Sequence, residues 1–179
     1  METKRTIAIP EGVNVTIDKM NVSISGPQGE LKRDLWYPGI AIKKVDSEIV
    51  VETNVPRREQ LAMLGTFESH LKNMITGVTN GYEYKMKVVY SHFPIQLKAE
   101  GNHVLVSNFL GEKKARKASI LGNTNVAIKG DQVIISGMNK EDVGQTAANI
   151  RTATKIRRFD PRVFQDGVYL VERGEQHGR

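Results

Sequence analysis

Cysteine is missing from all 179 residues. That excludes disulfides, thiolate zinc sites and cysteine nucleophiles together, and it fits a cytosolic location. Long apolar runs are missing too. Stretches such as Ile49-Val50-Val51 fall far below the ~18 residues that a membrane helix needs. The opening Met1-Glu2-Thr3-Lys4-Arg5 leads into no apolar core of signal-peptide length, so neither export nor a membrane partner is expected. Catalytic constellations are equally scarce. There is no Gly-x-Ser-x-Gly elbow, no phosphate-loop lysine motif and no dinucleotide fingerprint. His70, His92, His103 and His177 are scattered without metal-ligand spacing. The sequence therefore predicts no catalytic residues, no metal, no cofactor and no small-molecule substrate. Gly26-Pro27-Gln28-Gly29 lacks the Lys-Ser/Thr that a phosphate loop requires and reads as turn chemistry, with Gly26 and Gly29 in structural roles.

What remains is ordinary for a globular chain, with 39% apolar and 26% charged residues. The charge is unevenly placed. Residues 1–80 hold ten Lys+Arg and ten Asp+Glu, whereas residues 81–179 hold sixteen and ten, so the whole net charge of +6 lies in the second half. A field that one-sided points to a polyanionic partner for that half and to something else for the other.

The order of elements repeats. Val13–Ile17 and Val22-Ser23-Ile24 alternate apolar and polar before the Gly26–Gly29 turn, and Glu30–Trp36 continues as a strand. Ile40–Ile42 and Ile49–Val51 flank Asp46-Ser47 as a hairpin, and Asn54-Val55-Pro56 ends the strand pattern. Leu61, Leu64, Phe67, Leu71, Met74, Ile75 and Val78 then fall at helical spacing, ending near Gly77 or Gly81. An offset of 82 carries Val22–Gly26 onto Val104–Asn108, Gly29-Glu30 onto Gly111-Glu112 and Leu61 onto Val143. Asn139 followed by Glu141 and Asp142 marks a second helix start. Small Gly144, Ala147 and Ala148 are expected to let that helix lie close to its sheet. The fold class is α+β, two tandem copies of a small antiparallel sheet packed against one helix. The expected division is residues 1–81 and a basic, RNA-binding 82–179. Tyr82–Pro94 reads as the joining segment, and Gly167 as the counterpart of Gly81.

Copy two is basic at two places. Glu112-Lys113-Lys114-Ala115-Arg116-Lys117 reads as a strand or strand edge, with Lys113 and Lys117 on one face and Lys114 and Arg116 on the other. The second place follows Lys155. Pro161 keeps the second helix from running as long as the first, leaving Ile156–Asp166 as a basic connection before a closing strand from Gly167. Lys155, Arg157, Arg158, Arg162 and Arg173 are its RNA candidates, beside Lys113, Lys114, Arg116 and Lys117. Phe159 and Phe164 are expected to pack the connection onto its domain, and Tyr169 and Val171 to join the sheet. Asp166, Gly167 and Tyr169 are read as structural. No helix rich in base-reading side chains is evident, which favours structured RNA over a DNA operator.

Three stretches carry a family resemblance. Ser25-Gly26-Pro27-Gln28-Gly29-Glu30-Leu31, the run Gly77–Ile95 and Arg162-Val163-Phe164-Gln165-Asp166-Gly167-Val168-Tyr169 with Arg173 resemble the large-subunit ribosomal protein L-six family in its archaeal and eukaryotic type. The bacterial Pro-Tyr-Lys-Gly-Lys-Gly ending is absent. The resemblance spans about Ile7 to Arg173 and implies two related α+β domains without catalytic residues or cofactor. It implies binding to 23S-type rRNA near the stalk base and the sarcin–ricin region, beside neighbouring large-subunit ribosomal proteins, on the cytoplasmic ribosome. It also implies functional weight for Arg162, Asp166, Gly167, Tyr169 and Arg173. The competing expectation is a protein-interaction adaptor that uses the neutral first domain, with incidental RNA binding.

Overall fold

Alternating apolar residues in the first eighty positions produce six short strands. In the computed structural model, which describes residues 3–55 and 57–175, these are β1 (Lys4–Ala8), β2 (Asn14–Asp18), β3 (Asn21–Gly26), β4 (Gly29–Asp34), β5 (Ile40–Val45) and β6 (Glu48–Thr53). They form two antiparallel three-stranded sheets, ordered β1-β6-β5 and β2-β3-β4, rather than one. Helix α1 (Arg58–Thr79) lays Leu64, Phe67, Leu71 and Val78 against Ile24, Ile49 and Val51. Each such side chain contributes about 1.5–3 kcal/mol relative to exposure. Strand β4 stops at Asp34, short of the expected Trp36, which is 61% exposed. Strand β1 is an element that periodicity did not reveal. Pro56 and His177 lie outside the described residues.

The contact pattern divides the chain into residues 1–81 and 82–179. The second unit contains β7 (Tyr82–Val89), β8 (Gln96–Glu100), β9 (His103–Ser107), β10 (Arg116–Ser119), β11 (Asn125–Lys129), β12 (Gln132–Gly137), α2 (Lys140–Ala153) and β13 (Gly167–Glu175). Its sheets are β10-β9-β8 and β11-β12-β7-β13. The two helices begin at Arg58 and Lys140, the same offset of 82 that aligns the strands. Asn139 caps α2, its side-chain oxygen accepting from the Glu141 amide at 3.1 Å.

This topology corrects the role of Tyr82–Pro94. Its strand β7 lies inside the second sheet, antiparallel to β12 on one side and β13 on the other. Tyr82, Tyr84, Met86 and Val88 alternate into the core. Since β1 pairs with β6 as β7 pairs with β12, β7 is the counterpart of β1. Gly81 and Gly167 are therefore not equivalent, and β13 is an added strand without a partner in copy one. Within β13 the register slips between Leu170 and Glu172, so Val171 is a bulge residue with 68% exposure rather than a regular sheet member.

The first-copy turn shows why its glycines are there. Gly26 and Gly29 face each other across the Pro27-Gln28 turn, and the Gln28 amide donates to the Val78 carbonyl at 2.9 Å. That bond satisfies one of the carbonyls left over at the end of α1. Gly29 has φ +144°, a conformation that favours glycine.

Candidate nucleic-acid interface

The two copies diverge most after β9. In copy one Ile24 pairs with Leu31, and in copy two the equivalent Val106 pairs with Arg116, so the second loop is three residues longer. The loop first turns through Phe109–Gly111, burying the Phe109 ring. Residues 112–115 then precede β10 instead of extending it. The predicted extended run of Lys113 to Lys117 is therefore wrong in geometry. Lys113 and Lys114 project from a loop, both exposed, and only Arg116 and Lys117 occupy the strand.

Arg116 sits where copy one has Leu31, and its side chain serves the fold. Its guanidinium lies 4.5 Å from the centroid of the Phe109 ring. Nε and Nη2 donate to Glu112 at 2.8 and 2.5 Å. Nη1 donates to the Ala153 and Lys155 carbonyls at 2.9 and 3.3 Å. An arginine at the C-terminus of α2 satisfies leftover carbonyls and suits the negative end of the helix dipole. The Arg116 hydrogen bonds hold the Glu112 carboxyl below the usual carboxylate range. This pairing is thus complete above that range and fades only as acid protonates Glu112. Arg116 is a positioning residue for the loop rather than a cation held out to a ligand.

A groove of about 570 Å³ opens between β10 and the last turns of α2. Arg116, Lys117 and Arg157 line it together with Ser119, Asn149 and Thr152. The neutral members escaped the sequence reading because they come from separate elements and form no local motif. Lys117 and Arg157 are exposed, and neither forms an ion pair with any described residue. Asn149 is held in place by donating to the Ser119 carbonyl at 2.9 Å and accepting from Gln145 at 3.0 Å. Cations beside hydroxyl and amide groups match a sugar–phosphate backbone, because phosphates need positive donors and riboses need neutral ones.

The remaining candidates lie elsewhere in this unit. Lys155 is exposed directly after α2. Arg173 lines a second groove of about 380 Å³ with Arg151, Tyr84, Met86 and Leu170. Gly144, Ala147 and Ala148 border this groove too, so only Ala147 is buried as closely as their small size suggested. Arg158 and Arg162 project from the connection between α2 and β13. Arg162 folds back onto Asp160, at 3.0 Å between Nη2 and Oδ2, while remaining 89% exposed. Those bonds from Arg162, together with its amide, hold the Asp160 carboxyl low. Among the described residues no cluster of three or more His, Asp or Glu is arranged to hold a metal ion.

The structural candidates have clear partners. Asp166 is buried and accepts from the Ser91 hydroxyl and amide at 3.3 and 3.5 Å, tying the connection to the end of β7. Helix α2 stops at Ala153, well before Pro161, because Thr154 takes over. The buried Thr154 hydroxyl donates to the Ile150 and Arg151 carbonyls and accepts from the Val168 amide at 3.1 Å. The Tyr169 hydroxyl donates to the Gln165 carbonyl at 2.8 Å, and Arg151 stacks 4.4 Å from the centroid of its ring. Gly167 has φ +153°, and a Cβ there would lie 3.2 Å from the Thr154 carbonyl oxygen. Gly167→Ala should lower thermal stability by about 1–2 kcal/mol while leaving affinity for RNA within twofold at temperatures where the protein is folded. A melting curve that superimposes on wild type would refute this close approach.

Comparison with known proteins places the geometry in context. The family described as ribosomal protein L6 matches residues 9–81 and 93–167. A large ribosomal subunit protein uL6 from Methanosarcina mazei is 55% identical over 172 residues, covering 96% of this chain and 98% of its own. The protein of the same name from Methanococcoides burtonii is 58% identical over 172 residues, with coverages of 96% and 97%. That of Methanobrevibacter smithii is 49% identical over 170 residues, with coverages of 95% and 96%. All three sources are archaea.

Proposed function

The chain belongs to the ribosomal protein L6 family, a structural and non-enzymatic one, and from that premise we propose that it binds large-subunit rRNA through its second unit. Its role is that of a structural constituent of the large ribosomal subunit, supporting translation in the cytoplasm. The observation that carries the RNA contact is the groove between β10 and α2, where Lys117 and Arg157 stand exposed among Ser119, Asn149 and Thr152. Lys113, Lys114 and Lys155 extend the same basic field. Arg158 and Arg162, on the connection before β13, and Arg173, within β13, are further phosphate contacts. The RNA is of 23S type, and the docking region is the stalk base with the sarcin–ricin region, as the resemblance implies. Binding is dominated by phosphate contacts and weakens steeply with salt.

The first unit suits a protein neighbour within the same subunit. Its charge is balanced, and Met20 and Trp36 are exposed at 49% and 61%. They lie close together, since the Leu35 amide donates to the Met20 carbonyl. Exposed apolar side chains of this size are common at protein contacts.

Hydroxyl-radical footprinting of 23S-type rRNA with the full chain tests the assignment. Protection is expected in the stalk-base and sarcin–ricin segments, and it should vanish at high salt. Protection confined to other rRNA segments would overturn the placement, and no protection at low salt would overturn RNA binding itself.

A further inference from the structure

The connection between α2 and β13 carries two aromatic rings that the fold does not use as expected. Phe159 and Phe164 do not anchor the segment to its domain. They contact each other, with centroids 4.7 Å apart and planes tilted by 43°, and stay 51% and 37% exposed. The anchoring is done by polar groups instead. Asp166 binds Ser91 at one end, and Thr154 receives the Val168 amide beside it.

The turn that presents the rings is organised locally. The Asp160 carbonyl accepts from the Val163 and Phe164 amides at 3.1 and 2.9 Å, and its carboxylate accepts from the Arg162 amide at 2.9 Å. Arg158 adopts φ +71°, a conformation rarely held by a residue with a side chain. Such backbone conformations concentrate at ligand sites. An exposed aromatic pair on a preorganised turn loses little entropy when a flat partner is added.

Charge identifies the partner. Arg157, Arg158 and Arg162 each lie within two residues of one of the rings along the chain and are exposed, and Asp160, the only acid between Lys155 and Gln165, is already engaged with Arg162. We propose that the Phe159–Phe164 pair is a stacking site for an unpaired RNA base, with Arg157, Arg158 and Arg162 on the flanking phosphates. The inference rests on the rRNA-binding reading and makes it more specific. The β10–α2 groove holds sugar–phosphate backbone, whereas the aromatic turn takes a base that has left its helix. Double-stranded RNA hides its bases, so aromatic rings gain only where a nucleotide is bulged or looped out.

The test uses the full chain and two RNA hairpins of matched length. One has a single bulged 2-aminopurine, and the other is fully paired. The wild-type protein should prefer the bulged hairpin by about tenfold and quench its 2-aminopurine fluorescence. Phe159→Leu with Phe164→Leu keeps apolar volume but removes the flat faces. That double variant should lose both the preference and the quenching while binding the paired hairpin as wild type does. Phe159→Trp with Phe164→Tyr should retain both. Equal wild-type affinity for the two hairpins, or a leucine variant that keeps its preference, would overturn the proposal. So would a leucine variant with unaltered RNA binding that is no longer retained on large subunits, because the pair would then be a protein contact. Failure of the groove reading looks different: salt-sensitive binding would be missing for both hairpins.

Discussion

Gly26→Ala should lower the melting temperature of the first unit by about 5–20 °C, the consequence of a 1–3 kcal/mol overpacking cost in a domain of this size. A Cβ at this position would come within 2.8 Å of the Val78 carbonyl oxygen and 2.9 Å of the Val78 Cγ2. Neither neighbour yields easily. The oxygen is backbone that already accepts from the Gln28 amide, and Val78 is fully buried. The methyl group therefore separates the β3–β4 turn from the end of α1, and two hydrogen-bonded elements move apart. Gly65→Ala is the internal control. Gly65 lies within α1 with nothing near its absent side chain, so alanine there should stabilise by about 0.5–1 kcal/mol. Opposite shifts in calorimetry for two Gly→Ala changes in one unit would establish that contact with Val78, not glycine content, sets the outcome. A Gly26→Ala protein as stable as wild type would show that the turn does not rest on the helix.

Replacing Lys113, Lys114, Lys117 and Arg157 together by alanine should weaken RNA binding more than tenfold and reduce the slope of log affinity against log salt by about three. Each phosphate contact contributes about 0.7–0.9 to that slope, so four lost cations account for the change. Arg116 is deliberately kept. Its guanidinium holds Glu112, Phe109 and the end of α2, so its removal would disturb the loop and confuse folding with binding. Filter binding across a salt series, with thermal melting as the folding check, measures both quantities. A slope that does not change would remove the groove and its loop from the interface. Arg116→Ala alone should reverse the pattern, with lower stability and a smaller change in slope.

These variants depend on knowledge of different origin. The sequence by itself determined the repeat, the two helices and the start of the second, the asymmetry of charge and the family resemblance. All are local or additive properties. Apolar alternation, a capping Asn139 with acids behind it, and a count of cations need no tertiary partner to be read. The turn roles expected of Gly29 and Gly167 agree with their positive φ, a local property, whereas Gly26 is required by its approach to Val78, which no local pattern shows.

Only the tertiary structure decided which strands β7 pairs with, because a strand's pattern shows which face is buried and not which neighbour pairs with it. Tyr82–Val89 has the same alternation whether it joins the two units or lies inside a sheet, and hydrogen bonding to β12 and β13 settles it. The same limit hid the direction of single side chains. Three extra loop residues put Arg116 into a position that copy one fills with Leu31, so a residue counted among the RNA cations became a clasp on α2. Phe159 and Phe164 went the other way. Polar bonds from Asp166 and Thr154 already hold the connection, and the two rings stay partly exposed on a segment that carries three arginines.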